Sequence, residues 1–434
     1  MTTLLHADSP DAALLLLAAS EAGMLPGRGE RVLVHSSRTA GGRALARALR
    51  EAGPLSELGV PLDVGSARDA VTAIASLRPD FLVLDAAAPE GARLIAGAAP
   101  EAKVMLLDDG VGLASPTPPA LGAGLLGRVE ALLAPEVVPG LVPVLLRGAN
   151  PAWLRIPLAA VDAAAKEWAA SARRMAHRSA GALARLSALP HPGKALLVLG
   201  RPLPDLGAAS EAERARLAGR SLTAAQDVGA KVLLFCPSPG TGRAAELSLS
   251  HAATEAGLPL LALPDSLPAL AAHALVSPRL CLGVDSPALL RLHLGGVARV
   301  QSVATGRFLP RLGTDTDPAR VRLTLVDAIM RRGLAFPAEE PTLQRIVDAV
   351  AYSVAPAQLE SLREEAVATL RGEPALRSAY ISAPRLQQLG LPSPRTKAGA
   401  KSGGAPAATT RSSRRRGDAP WSPLLSALRG GRRA

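Results

Sequence analysis

Aromatic residues are scarce in this chain, with four Phe, three Trp and two Tyr among 434 residues. Its cores must therefore be aliphatic and closely packed, built mainly from Ala, Leu and Val. Cysteine is nearly absent as well. Cys236 and Cys281 both stand in apolar runs, so no disulfide framework is implied and a reducing, cytoplasmic setting is expected. No apolar run reaches the roughly 18 residues needed to span a bilayer. The first twenty residues are apolar but lack a basic n-region and carry Asp8 and Asp11, so a signal peptide is not expected. Walker A sequences, zinc-ligand spacings and nucleophile elbows are all missing, which points away from P-loop, zinc and serine-hydrolase chemistry. Neither a metal nor a cofactor is expected.

Charge of one sign is short everywhere except at the end. The net charge is +12, but residues 395–434 hold ten Lys and Arg against the single Asp418, leaving about +3 for everything before them. A near-neutral body with a basic tail does not suggest a nucleic-acid-binding core. The tail has no apolar periodicity and reads as disordered. It surrounds a small apolar patch from Trp421 to Leu428 with arginines, a pattern suited to weak, salt-sensitive association with an anionic membrane surface.

What is present is a regular alternation of short apolar runs and Ala-rich amphipathic stretches. Strands are expected at residues 3–6, 31–35, 60–64, 79–85 and 104–107, with helices starting at Ser9-Pro10 and spanning 43–52, 66–77 and 90–99. Residues 114–150 read as a loop-rich crossing with one helix at 125–133, followed by a long helix over 158–189. Pro190-His191-Pro192-Gly193 then marks a boundary. A second set follows, with strands at 194–200, 231–236, 258–263, 280–284 and 297–303. The helices between them are expected at 210–229, 247–256, 267–274 and from Pro287 to about 294. Helices at 317–330, 340–353 and 355–370 close the body. Strands and helices at this spacing form βαβ units around a parallel sheet. Two such arrays joined by one linker make two Rossmann-like domains with a ligand cleft between them.

Ligands of open α/β sheets bind beyond the carboxyl ends of the strands. There KVMLL is followed by Asp108-Asp109-Gly110, and side chains on an extended segment alternate, so one of the two acids is expected to face the ligand. Later, Asp285-Ser286-Pro287 follows a strand and opens a helix, a placement suited either to an ordinary cap or to a bound phosphate.

Asp108-Asp109-Gly110, the LVLGRPL segment around Gly200, and GVDSPALLRLHLGG, in this order, resemble the bacterial sialyltransferase and polysialyltransferase family of the GT-B fold. The resemblance covers roughly residues 1–330. It implies transfer of a sugar from a CMP-sialic-acid-like nucleotide donor to a glycan or lipid-linked acceptor, at the cytoplasmic side of the membrane. It also implies a general base at Asp108 or Asp109 and donor binding at Gly200, Pro237, Ser238, Pro239, Gly240, Asp285 and Ser286. One departure stands out. The family's His-Pro motif falls on Cys236-Pro237-Ser238-Pro239, so Ser238 occupies the histidine position. Serine donates one hydrogen bond but carries no charge. Gly240-Thr241-Gly242-Arg243 is a candidate anion-binding replacement. On this frame residues 1–189 form the acceptor-side domain, 190–335 the donor domain, 336–390 C-terminal helices and 391–434 the tail. A family member that binds without transferring, and a sugar-nucleotide epimerase of the same general fold, are the alternatives. An epimerase would be favoured by paired carboxylates together with a cleft histidine.

Overall fold

Short aliphatic runs set the architecture. A computed structural model describes residues 1–27, 29–51, 53–65, 67–176, 181–187, 192–201, 210–241, 243–296, 299–312, 315–334 and 342–393. The tail from 395 onward, the 188–191 linker, Pro202 and Leu203 of LVLGRPL, and Gly242 lie outside the described residues.

The first sheet contains β1 (Thr2–His6), β2 (Glu30–His35), β3 (Val60–Asp63), β4 (Phe81–Asp85), β5 (Lys103–Leu107), β6 (Val129–Pro135) and β7 (Ala152–Ile156). Its strands are all parallel and lie in the order β3-β2-β1-β4-β5-β6-β7. The second contains β8 (Ala195–Leu199), β9 (Val232–Cys236), β10 (Leu260–Ala262), β11 (Leu280–Gly283) and β12 (Val300–Ser302). These are also parallel, in the order β10-β9-β8-β11-β12. Two parallel sheets with flanking helices form an N lobe and a C lobe in the GT-B arrangement.

Strand β5 shows why the runs need no polar alternation. Val104 and Leu106 enter one apolar core while Met105 and Leu107 enter the other, so both faces of the sheet are covered by helices. Both cores extend through residues of both lobes. Cys236 and Cys281 are free and buried within these layers. Among the described residues, no helix is long and apolar enough to cross a membrane.

Several sequence expectations fail, each for a tertiary reason. The helix expected at 125–133 is instead a five-residue helix, Gly122–Leu126, followed by β6. Leu and Ala favour helix locally, but pairing with β5 and β7 on either side overrides that weak preference. Strand β7 carries no period-2 signal and is only half covered, and it exists because β6 supplies a partner. Of the long helix expected over 158–189, Leu158–Ala176 and Ala182–Ser187 are helical, and residues 177–180 and 188–189 lie outside the described residues. The helix expected at 355–370 begins only at Arg363, because the chain turns through Pro356 and a 3-10 turn at Glu360–Leu362. Ala319–Val326 is α-helical, but Asp327–Arg331 widens into a π turn. Two short helices, Pro374–Tyr380 and Ala383–Gln388, carry no strong periodic signal in the sequence.

After the C lobe the chain returns to the N lobe. Helix Thr342–Val354 sets Asp348 3.3 Å from the Arg147 guanidinium, and the Gln344 side chain exchanges hydrogen bonds with the Val142 backbone. The preceding helix, Ala319–Val326, brings Arg322 to the end of β5.

Candidate functional site

At the end of β5, Asp108 and Asp109 tie down their own loop. Asp108 Oδ1 accepts from the Gly110 amide at 2.8 Å, and Asp109 Oδ1 accepts from the Val111 and Gly112 amides, both at 2.8 Å. Gly110 adopts φ +85°, and a Cβ there would lie 2.4 Å from the Pro135 carbonyl oxygen, so both conformation and space require glycine. This turn ends the extended chain at Asp109. In consequence both carboxylates line the cleft, rather than the single one that strand alternation would expose.

Burial pushes the Asp108 carboxyl well above the usual carboxylate range, and the Asp109 charge pushes it the same way. The Gly110 amide and Arg322 only partly oppose this. Asp85, at the end of β4 and 5% exposed, is raised by burial to about 7. It accepts from the Ala87 amide at 2.9 Å and the Asp8 amide at 3.3 Å. Asp8 in turn accepts from the Thr39 hydroxyl at 2.7 Å. Asp11, in the first turn of helix Pro10–Glu21, accepts from the Ala269 amide of the C lobe at 3.2 Å. Asp8, Asp11, Asp85, Asp108 and Asp109 thus give the N-lobe wall an acidic character.

The facing wall is basic. Arg201, Arg291 and Arg322 line it together with Gly200, Pro237, Ser238, Pro239 and Ser286. Gly200 is closely packed, since a Cβ there would lie 3.0 Å from the Phe235 ring and 3.1 Å from Pro237 Cα, so a larger residue would press on both. Ser286 occupies the N-cap position of helix Pro287–Leu294, but its side chain makes no capping bond. Ser286, Pro287 and Ala288 line the cleft, which has a volume of about 430 Å³.

The cleft brings together Asp108, Asp109, Gly200, Pro237, Ser238, Pro239 and Ser286. Asp285 and Gly240 do not join them. Asp285 is completely buried, with the Arg201 guanidinium 2.9 Å away, so it acts as an internal counter-ion and not as a donor contact. Gly240 serves a turn. The Thr241 amide bonds to the Ser238 carbonyl at 2.8 Å, with Pro239 and Gly240 between them and Gly240 at φ +84°, the geometry of a type II turn. Arg243 opens the helix Arg243–Glu255 and does not line the cleft. Among the described residues, no histidine lines it either. His251 pairs with Glu255 on an exposed helix face, and His273 lies in the last turn of Ala269–Val276.

Sequence reasoning missed Asp8, Asp11, Asp85, Arg201, Arg291 and Arg322. A signal for four of them exists in the topology. The strand order reverses beside β1 and β4 in one sheet and beside β8 and β11 in the other, and ligands of such sheets bind at these switch points. Asp8 follows β1, Asp85 ends β4, Arg201 follows β8, and Asp11 lies one helical turn beyond Asp8.

No family model matches the chain, and no curated protein matches it. Among solved structures it is similar to a UDP-GlcNAc 2-epimerase from Methanocaldococcus jannaschii, with 13% identity, 70% of this chain and 88% of that chain covered, and a TM-score of 0.42. A sialyltransferase from Photobacterium damselae, GT-B domain, shares 11% identity over 67% of this chain and 88% of that chain, with a TM-score of 0.37. A 2,6-sialyltransferase from Photobacterium sp. JT-ISH-224, solved with CMP and lactose, shares 10% identity over 74% and 76%, with a TM-score of 0.42.

Proposed function

We propose that the cleft transfers a glycosyl group from a nucleotide-activated sugar to a hydroxyl acceptor. The observation that carries this reading is the opposition, in one cleft, of the Asp108–Asp109 pair on the N lobe and Ser286 at a helix N-terminus on the C lobe. A volume of about 430 Å³ suits a small-molecule ligand. A donor phosphate would take the Ser286 hydroxyl and the first-turn Ala288 amide of helix Pro287–Leu294, since Pro287 has no N–H and the Leu289 amide is bonded to the Ser286 carbonyl, and the helix dipole there favours negative charge. The acceptor hydroxyl would lie against Asp108 or Asp109. As its oxygen bonds to the sugar carbon, its proton passes to the carboxylate, and the sugar–phosphate bond breaks with its electron pair leaving on the phosphate oxygen. A raised carboxyl such as Asp108 is the stronger base once ionised, which suits this task near neutral pH.

The sequence resemblance favours a CMP-sialic-acid-like donor and a glycan or lipid-linked acceptor within this class. Epimerase chemistry is the weaker reading, because the paired carboxylates are present but, among the described residues, no histidine lines the cleft. Binding without transfer keeps one specific observation in its favour: Ser238, uncharged, lines the cleft where the resembled family has histidine.

Incubating the purified protein with a panel of CMP- and UDP-sugars, with glycan acceptors present, and measuring nucleotide release tests the reading. Release from at least one donor is expected, with Asp108→Asn or Asp109→Asn lowering the rate on the order of a hundredfold. If both variants keep full activity, the base assignment fails. Nucleotide binding without release, converted to release by Ser238→His, would identify a chain that has lost transfer.

A further inference from the structure

The three arginines on the C-lobe wall are not equivalent, and the difference points to one of them. Arg201 sits 2.9 Å from the completely buried Asp285. Arg291 is tightly paired with Asp162 of helix Leu158–Ala176, and only about a tenth of its side chain is exposed. Each of these cations is held against a carboxylate at hydrogen-bonding range. Arg322 is not. Among the described residues its ion-pair partner is Asp109, at 3.9 Å, beyond hydrogen-bonding range; its buried Nε has no hydrogen-bond partner, which is true of the Arg291 Nε as well, so the distance to the carboxylate is what sets Arg322 apart. A guanidinium presents five N–H donors, and leaving even one of them unmet in a buried position is costly. The side chain is 25% exposed, and the cleft is where it meets solvent.

Its surroundings explain why a cation remains there. Burial opposes the charge, but Asp109, Asp285 and Asp108 together hold Arg322 above the ordinary arginine value. It therefore stands at the seam between the acidic N-lobe wall and the basic C-lobe wall, lining the cleft.

Building on the transfer reading above, we propose that Arg322 is the cation that receives the donor's phosphate, supplying the charge that Ser238 lacks at the histidine position. Lysine would not replace arginine fully, because it carries the charge but not the planar fork that meets two phosphate oxygens at once.

The test is equilibrium binding by calorimetry of CMP, UDP and inorganic pyrophosphate to the parent chain, Arg322→Gln and Arg322→Lys. Circular dichroism and thermal melting establish that the variants fold, and Arg322→Lys carries the test if Arg322→Gln does not. Arg322→Gln is expected to weaken nucleotide binding roughly ten- to a hundredfold, with Arg322→Lys in between. Nucleotides that bind both variants as tightly as the parent would overturn the assignment while leaving the transfer reading standing. Arg322-dependent binding of pyrophosphate without binding of CMP or UDP would uphold the anion site and remove the nucleotide reading. If no probe binds the parent chain, both fall.

Discussion

Asp85 and His6 show how much stability depends on single buried ionisable groups, and they act in opposite directions. The folded chain raises Asp85 from 3.8 to about 7, so it holds that proton more tightly than the unfolded chain does. Stability contributed by this group is complete below the unfolded value and is lost as pH rises through 7. His6, buried with its pKa lowered to about 4, behaves oppositely, and its contribution is lost as pH falls from 6.5 toward 4. Above pH 6.5 His6 loses only the remaining half-charge of its unfolded form, which offsets about 0.4 kcal/mol of the Asp85 loss. Between pH 6.5 and 8, Asp85 alone should therefore cost about 1 kcal/mol, with the raised Asp108 acting in the same sense. Melting temperature is expected to fall across this window in the parent chain and to fall less in Asp85→Asn. Equal falls in the two proteins would reject the assignment. The acidity of this wall was only half legible beforehand. Asp108 and Asp109 announce themselves as a pair before a glycine, whereas Asp8 and Asp85 are each a lone acid at a strand end until the sheet order places them together.

At the scale of elements, the segment from Ala319 to Val354 carries the most consequence. It crosses from the C lobe to the N lobe and delivers Arg322 to the cleft. Its anchor is Asp327 in the π turn, completely buried, which accepts from Arg331 at 2.8 Å, Thr305 at 2.7 Å and the Tyr380 hydroxyl at 3.0 Å. Asp327→Ala leaves the buried Thr305 and Tyr380 hydroxyls without this acceptor and should cost about 2–4 kcal/mol. Denaturant unfolding of the variant measures it, and a change below about 0.5 kcal/mol would mean that the anchor is dispensable. Periodicity alone reads one helix over 317–330. A wide turn at Asp327 is settled by bonds to Thr305 and Tyr380, distant in sequence, which no local pattern records.

Taken whole, residues 1–394 form one compact unit although they hold two sheets. Both apolar cores run through both lobes, and polar contacts tie the lobes at several points. Arg47 meets Asp265, Arg291 meets Asp162, and Arg173 donates to the Ala274 and Leu275 carbonyl oxygens. The exposed pair of Arg47 and Asp265 should contribute less than about 1 kcal/mol, so the shared cores do most of the joining. One cooperative transition is expected in scanning calorimetry. Two resolved transitions would show that the lobes melt independently.

By itself, the sequence determined the strand and helix alternation, the two-lobed parallel class, and a first set of cleft residues around Asp108-Asp109-Gly110 and Ser286-Pro287. These are local matters. Apolar runs of four or five residues, N-caps before Pro, and glycines at turns act on their immediate neighbours, so they can be read along the chain. Tertiary structure alone decided that residues 129–135 and 152–156 are strands, because a strand is completed by its partners and Leu/Ala-rich segments have no strong preference of their own. It also decided that Asp285 is a buried counter-ion, since Arg201 reaches it only when β8 and β11 lie side by side. Arg322 is the clearest case. It is one arginine in a helix more than two hundred residues from Asp109, and only the return of the chain to the N lobe sets it 3.9 Å from that carboxylate.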